Sequence, residues 1–361
     1  MSTPLHVRGV VLPDDVERDV YLVGDRLTFE PVPGAETIAD RGFVVPGLVD
    51  VHCHIGIADG AVPVDDVAAA RRLAHTDRDA GVLAIRDAGS PIDYAVLDDD
   101  PSVPRLVRAG RFLAPVRRYM PGLAIECTPE ELPDRVTEQA KLATGWVKLV
   151  GDWIDRETGD LGPCFSPDVL ARAVDAAHGA GARVAVHTFS EDAVSALVAA
   201  GVDSIEHGCG LSTDLIDRMV EQGTVLVPTM INVDWNFESI ADRAEAKYPA
   251  YARHMRRLRR TFPDVVRAAH EAGVPLYAGS DAGGYIRHGQ LDEEVILLHE
   301  TGMAATDALA AGSWEARRWL GLPGLEEGGL ADLVVYDADP RVDLGVLRAP
   351  RRIVLRGAVV R

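Results

Sequence analysis

The stretch Pro46-Gly-Leu-Val-Asp-Val-His-Cys-His54 decides how this chain is read. Gly47 to Val51 is a short apolar run of the kind that forms a parallel strand buried on both faces, and it leads into two histidines. Alternation along a strand sends His52 and His54 to one face, where both can reach one metal ion, and turns Cys53 outward into packing. Four more residues of metal-binding type follow similar runs: Lys148 after Trp146 and Val147, His187 after Val184 to Val186, His207 after Val202 to Ile205, and Asp281 after Val274 to Gly279. Four imidazoles, one lysine and one terminal carboxylate at successive strand ends describe a two-metal hydrolase site.

Apolar runs alternate with Ala-rich helical segments at the repeat of βα units, with strands expected near 48–54, 82–88, 104–111, 145–150, 182–187, 202–207, 224–229 and 275–281. Eight such units predict an α/β fold, a (β/α)8 TIM barrel over 46–327. The helix Ser166 to His178 shows the expected signals, with Ser166 as N-cap, Pro167 in the first turn and Gly179 as the stop. Residues 1–45 and 328–361 instead carry short alternating runs broken by Pro and Gly, which predicts a small β-sandwich domain built from both chain ends. Ile231 to Pro263, with Trp235, Phe237, Tyr248 and Tyr251, reads as a long insertion placed to form a lid or substrate wall. Barrel active sites form at the C-terminal ends of the strands, where all six candidate ligands fall.

A net charge of −19 argues against nucleic acid or an anionic membrane as partner, because phosphate contacts need clustered Lys and Arg. There is no basic segment followed by an apolar run at the N-terminus and no long apolar stretch, so neither a secretory signal nor a membrane span is expected. Cys53, Cys127, Cys164 and Cys209 are widely spaced, which points to reduced thiols and a cytoplasmic setting. The acidic triple Asp98 to Asp100 and the five arginines of Arg253 to Arg260 read as solvated surface, and Glu206, preceding His207 on its strand, is expected to point away from the metals.

Lysine usage is a second clue. The chain has three lysines against 34 arginines, yet places Lys148 inside the apolar run Trp146-Val-Lys-Leu-Val150. Burial favours the neutral amine, which can take up carbon dioxide as a carbamate whose two oxygens bridge two metal ions; a guanidinium cannot.

The stretches Val45 to His54, Arg86-Asp-Ala-Gly89, Val147-Lys-Leu149, Val186-His187, Ile205-Glu-His-Gly208, Val227-Pro-Thr229, Ala278-Gly-Ser-Asp-Ala282 and Gly329 to Val335 run almost end to end. In these the chain resembles the amidohydrolase superfamily of metal-dependent hydrolases. It is most similar in style to the branch containing imidazolonepropionase-like enzymes, lysine-carboxylated Xaa-Pro dipeptidases and N-acyl amino acid hydrolases. The resemblance implies one metal held by His52, His54, the Lys148 carbamate and Asp281, and a second held by the same carbamate with His187 and His207. Zinc is the default for such imidazole-rich sites. A metal-bridging hydroxide would then attack an amide carbonyl, with Asp281 as the catalytic proton shuttle to the leaving amine.

The leading reading is hydrolysis of the amide bond of a small molecule such as a dipeptide or N-acyl amino acid. A cyclic-amide or ester hydrolase, hydantoinase-like or lactonase, would use the same metals, and a non-catalytic scaffold would be marked by lost ligands. Substrate contacts are expected from Tyr119, Trp153, Arg287 and His288, with Arg117, Arg118, Asn232 and Trp235 nearby in the same loops; a substrate carboxylate would suit Arg118 or Arg287. The loop Ala114 to Gly122 departs from the Gly-His-rich stretch of similar enzymes. A homo-oligomer is the general default.

Overall fold

A computed structural model describes residues 3–361 and shows a mixed α/β fold. The N-terminal expectation includes residues 1 and 2, which lie outside the described residues. The alternating runs at the two chain ends do meet. Leu5–Val11 pairs antiparallel with Val16–Val23 and parallel with Phe43–Pro46, which lies antiparallel to Leu333–Tyr336 from the far end of the chain. Arg352–Leu355 and Ala358–Val359 extend the same eight-stranded sheet. Alternate burial along Leu5–Val11 follows from one face being covered and the other wet.

The middle of the chain forms parallel strands. Leu48–Cys53, Val82–Asp87 and Arg105–Arg108 make one sheet. Leu113–Pro115, Trp146–Val150, Arg183–Thr188, Ser204–His207 and Val225–Val227 run in order in another, with Ile125–Cys127 at its edge. The two sheets are joined through the extended segment from Pro275 to Ala282. Its Pro275 carbonyl accepts from Leu226 N, and its Ala278 carbonyl accepts from Val51 N; Asp281 N donates to the His52 carbonyl. On the other side the chain passes directly from Arg105–Arg108 to Leu113–Pro115, and Thr144 N donates to the Arg108 carbonyl.

Leu48–Cys53, Val82–Asp87, Trp146–Val150, Ser204–His207 and Val225–Val227 are buried on both faces, as their mostly apolar runs require, whereas Arg105–Arg108 and Ile125–Cys127 are only partly buried. Leu83, Ile85, Val147, Leu149, Val184, Val186 and Ile205 pack with the helices, while Val49, Val51, Ala84, Val225 and Val227 form a separate inner cluster. Beside that inner cluster, the Arg86 guanidinium lies over Trp146 at 4.6 Å and over Trp319 at 5.2 Å, and donates to both oxygens of Glu206 at 2.8 Å.

The insertion after Thr229 is helical, not a long loop. Met230–Glu245 and Pro249–Ala272 pack against each other, with Phe237, Ala241, Ala252, Met255, Leu258 and Phe262 buried. Among the described residues no helix is long and apolar enough to cross a membrane.

Candidate active site

Each predicted ligand is fixed by the local fold of its strand end. The register between Leu48–Cys53 and Val82–Asp87 shifts between Asp50 and Cys53, and both His52 and His54 reach the same side. Gly279 lies so close that a Cβ there would come within 2.5 Å of His52 Cβ, so only glycine permits the approach. His207, Thr229 and Asp281 all hold left-handed backbone, at φ of 68°, 47° and 56°. Such conformations cost about 1–3 kcal/mol each and collect at functional sites. The turn at His207 also breaks strand alternation, so Glu206 and His207 both face inward. This corrects the expectation that Glu206 points away: its Oε2 lies 2.6 Å from His52 Nδ1.

The imidazoles are oriented from behind. His54 Nδ1 pairs with the Gly89 carbonyl at 2.9 Å, and His207 Nδ1 with Thr229 Oγ1 at 2.7 Å. Two rings thus have Nδ1 hydrogen-bonded to an outer partner, which leaves Nε2 for the cavity, and at His52 the Glu206 carboxylate stands close behind Nδ1 as a charge partner. Asp281 Oδ1 lies 3.3 Å from both His52 Nε2 and His54 Nε2, and its Oδ2 accepts from Asn232 Nδ2 at 2.6 Å. His187 Nδ1 and His207 Nε2 face each other at 2.9 Å, while His187 Nε2 lies 3.7 Å from the buried Asp152 carboxylate.

Lys148 enters from Trp146–Val150 with its Nζ buried and without a hydrogen-bond acceptor. Burial brings its ammonium down to about 8, against the pull of Glu206. Burial and Lys148 likewise push the His187 imidazole down to about 3, so His187 is neutral near neutral pH, while the lowered Lys148 keeps a larger share of neutral, electron-pair-donating amine than an exposed lysine would. The potential ligand atoms of His52, His207 and Asp281 lie within 4.8 Å of one another, and His54, Lys148 and His187 line the same cavity. Four imidazoles, a carboxylate and an orphaned buried amine are a donor set suited to divalent ions.

The cavity of about 240 Å³ is lined by Phe112, Tyr119, Met120 and Trp153, and by Phe189, which packs on Phe237 at 4.8 Å. Tyr119 stacks edgewise on Trp153 at 4.8 Å. Asn232, Ile240 and Arg243 from the 230–245 helix complete the lining, with Tyr251 and Tyr285. Tyr119 and Trp153 therefore reach the cavity as expected, and Arg287 and His288 do not. Past Asp281 the chain turns at Gly283 and Gly284, which leaves Arg287 exposed. His288 folds back behind the first parallel strand, its Nδ1 2.8 Å from Asp77 Oδ2 and 3.8 Å from Cys53 Sγ. Arg118 is committed to Asp155 and to the Trp153 and Gly162 carbonyls. Sequence reading missed Ile240 and Arg243 because it treated the insertion as a loop, whereas Tyr251, named there as part of a lid or substrate wall, does line the cavity. Asn232, Ile240 and Arg243 share one helical face, a spacing that a 3.6-residue period would have caught.

The model of the Amidohydrolase family matches residues 43–359, the span that holds all six candidate ligands. The chain belongs to the Amidohydrolase family. It is therefore a hydrolase acting on carbon–nitrogen bonds, in a family that generally uses divalent metals and acts on small molecules. An uncharacterized protein of Mycobacterium tuberculosis is 52% identical over 355 residues, covering 98% of this chain and 95% of that protein. The crystal structure of a Xaa-Pro dipeptidase with bound methionine in the active site is similar at a TM-score of 0.83 and 22% identity, over 99% of each chain. That of a putative prolidase from Bifidobacterium longum is similar at a TM-score of 0.84 and 22% identity, over 99% of this chain and 94% of the other. At those identities the two structural likenesses bear on the fold.

Proposed function

We propose that this protein is a binuclear metal-dependent hydrolase that cleaves the amide bond of a small substrate such as a dipeptide or N-acyl amino acid. In this reading residues 46–327 close into a (β/α)8 barrel around the cavity, with segment 275–282 as the eighth strand, and residues 1–45 and 328–361 form a composite β domain. His52, His54 and Asp281 would hold one ion and His187 and His207 the other, with Lys148 as a carbamate supplying oxygens to both. Zinc suits the imidazole-rich set. A cytoplasmic setting suits four free thiols.

The observation that carries the reading is the convergence of Lys148 Nζ, buried and without an acceptor, with four histidines and Asp281 in one cavity. Divalent ions, when bound, would lower the pKa of water and polarise the scissile carbonyl. Glu206, the Gly89 carbonyl and Thr229 hold the rings so that little reorganisation accompanies binding. Asn232 takes up Asp281 Oδ2 and leaves Oδ1 to accept a proton from the attacking water and deliver it to the leaving nitrogen. The aromatic side of the cavity holds the apolar part of the substrate and excludes bulk water.

The test is release of free amine from a panel of N-acyl amino acids and dipeptides by protein supplied with zinc and bicarbonate. Turnover on members of that panel is the expected result. Cleavage of cyclic amides or lactones alone would move the assignment to a ring-opening hydrolase.

A further inference from the structure

Among the described residues, the lysines and arginines that line the cavity are Lys148 and Arg243, the latter an exposed residue of the 230–245 helix. The carboxylates beside it on its own helix are taken by another residue. Glu238, Asp242 and Glu245 all bond to Arg256 of the neighbouring helix, at 2.7, 2.6 and 2.9 Å. The next acid along, Asp234, is held by Arg259 at 2.8 Å. Arg243 itself donates to Ser239 Oγ at 2.6 Å, and its guanidinium lies 5.2 Å from the Tyr285 ring centroid. Asp281 in the same cavity is held by Asn232 and faces His52 and His54, and among the described residues Arg243 forms no ion pair, so its guanidinium can meet an anion from outside. Tyr251 and Tyr285 line the cavity beside it and bring phenol hydroxyls that can donate to the same group.

We infer that Arg243, with Tyr251 and Tyr285, binds the carboxylate of the substrate's amino-acid half, while the contiguous aromatics Phe112, Tyr119 and Trp153 take an apolar acyl group. This rests on the amide-hydrolase reading and narrows it. The preferred class is an N-acyl amino acid whose acyl part is aromatic or otherwise bulky and apolar, with a free carboxylate next to the nitrogen. It also replaces Arg118 and Arg287 in the role the sequence suggested for them.

The experiment compares N-benzoylglycine with N-methylbenzamide, which is the same skeleton without the carboxylate. Equilibrium binding to zinc-loaded wild type and to Arg243→Met and Arg243→Lys is measured by calorimetry, with benzoate release followed in parallel. A charge-assisted contact predicts that wild type binds N-benzoylglycine at least about tenfold more tightly than N-methylbenzamide. In Arg243→Met that ratio falls to about one, and in Arg243→Lys it is partly kept. Equal binding of the two ligands by wild type, equal losses for both in Arg243→Met, or no binding of N-benzoylglycine at all would overturn the inference. Carboxylate-selective binding that depends on Arg243, without cleavage of any acyl amino acid, would uphold the anion site and defeat the hydrolytic assignment. Efficient cleavage of N-methylbenzamide, with the two ligands affected alike in Arg243→Met, would do the reverse.

Discussion

An ammonium group buried without an acceptor costs several kcal/mol, so Lys148 either gives up its proton or gains a new partner. Its neighbours argue for the second. Glu206 is already saturated by Arg86, Ser204 and His52, so it has little left to offer the amine. Carbamate formation would turn an unsatisfied cation into a two-oxygen anion beside four imidazoles. Asp281 is the other residue on which the chemistry turns. Asp281→Asn keeps the shape and the contact with Asn232 but removes the proton acceptor. Turnover should fall about 100- to 10,000-fold while most of the metal is retained. Steady-state kinetics beside metal analysis checks this, and near-normal turnover at full metal loading would rule Asp281 out as the shuttle.

At the scale of elements, the 230–245 helix is the piece that completes the cavity, and its start is held by one buried carboxylate. Glu294, from the helix Leu291–Glu300, accepts from Met230 N at 2.9 Å and Ile231 N at 2.8 Å. Burial pushes Glu294 from its usual 4.5 up to about 8, although the two N–H donors pull the other way. Between those two pH values the folded protein binds the proton that the unfolded chain has released, so this group makes stability fall as pH rises from about 4.5 to 8. Glu294→Gln cannot titrate. It should be less stable than wild type at pH 5.5, because one helix-start N–H loses its acceptor, and the gap should narrow by pH 8. Thermal melts of both proteins across that range decide it; parallel curves would show that Glu294 carries no such shift. This helix pair also marks where the sequence was hard to read. The parallel strands were legible because burial on both faces leaves long apolar runs. The helices after Thr229 were not, because a surface helix mixes aromatic, acidic and basic residues and lacks the Ala-rich pattern of Pro167–Gly179.

In the whole molecule, the two chain ends and the parallel core are tied together at Asp332. Its carboxylate accepts from Arg105 at 2.5 Å, Arg317 at 3.1 Å and Arg356 N at 2.9 Å, and its carbonyl accepts from Gly47 N. The sequence signalled that both ends are β-rich and meet, because their alternation differs from that of the middle. It could not signal which loop residues face the cavity. That His52, His54, Lys148, His187, His207 and Asp281 would meet in one cavity was legible because each stands in or just after a buried apolar run, where a polar residue must have a reason. Arg287 and His288 were misread because two glycines after Asp281 turn the chain away, and Arg243 was overlooked because its isolation depends on Arg256 drawing off its neighbours' charges. The measurement that tests the central claim most directly is metal content per chain, by elemental analysis of wild type and Lys148→Ala expressed with bicarbonate. The account predicts two equivalents in wild type, falling to one or none in the variant. One equivalent in both proteins would contradict it, leaving Lys148 structural and a single ion among the remaining ligands.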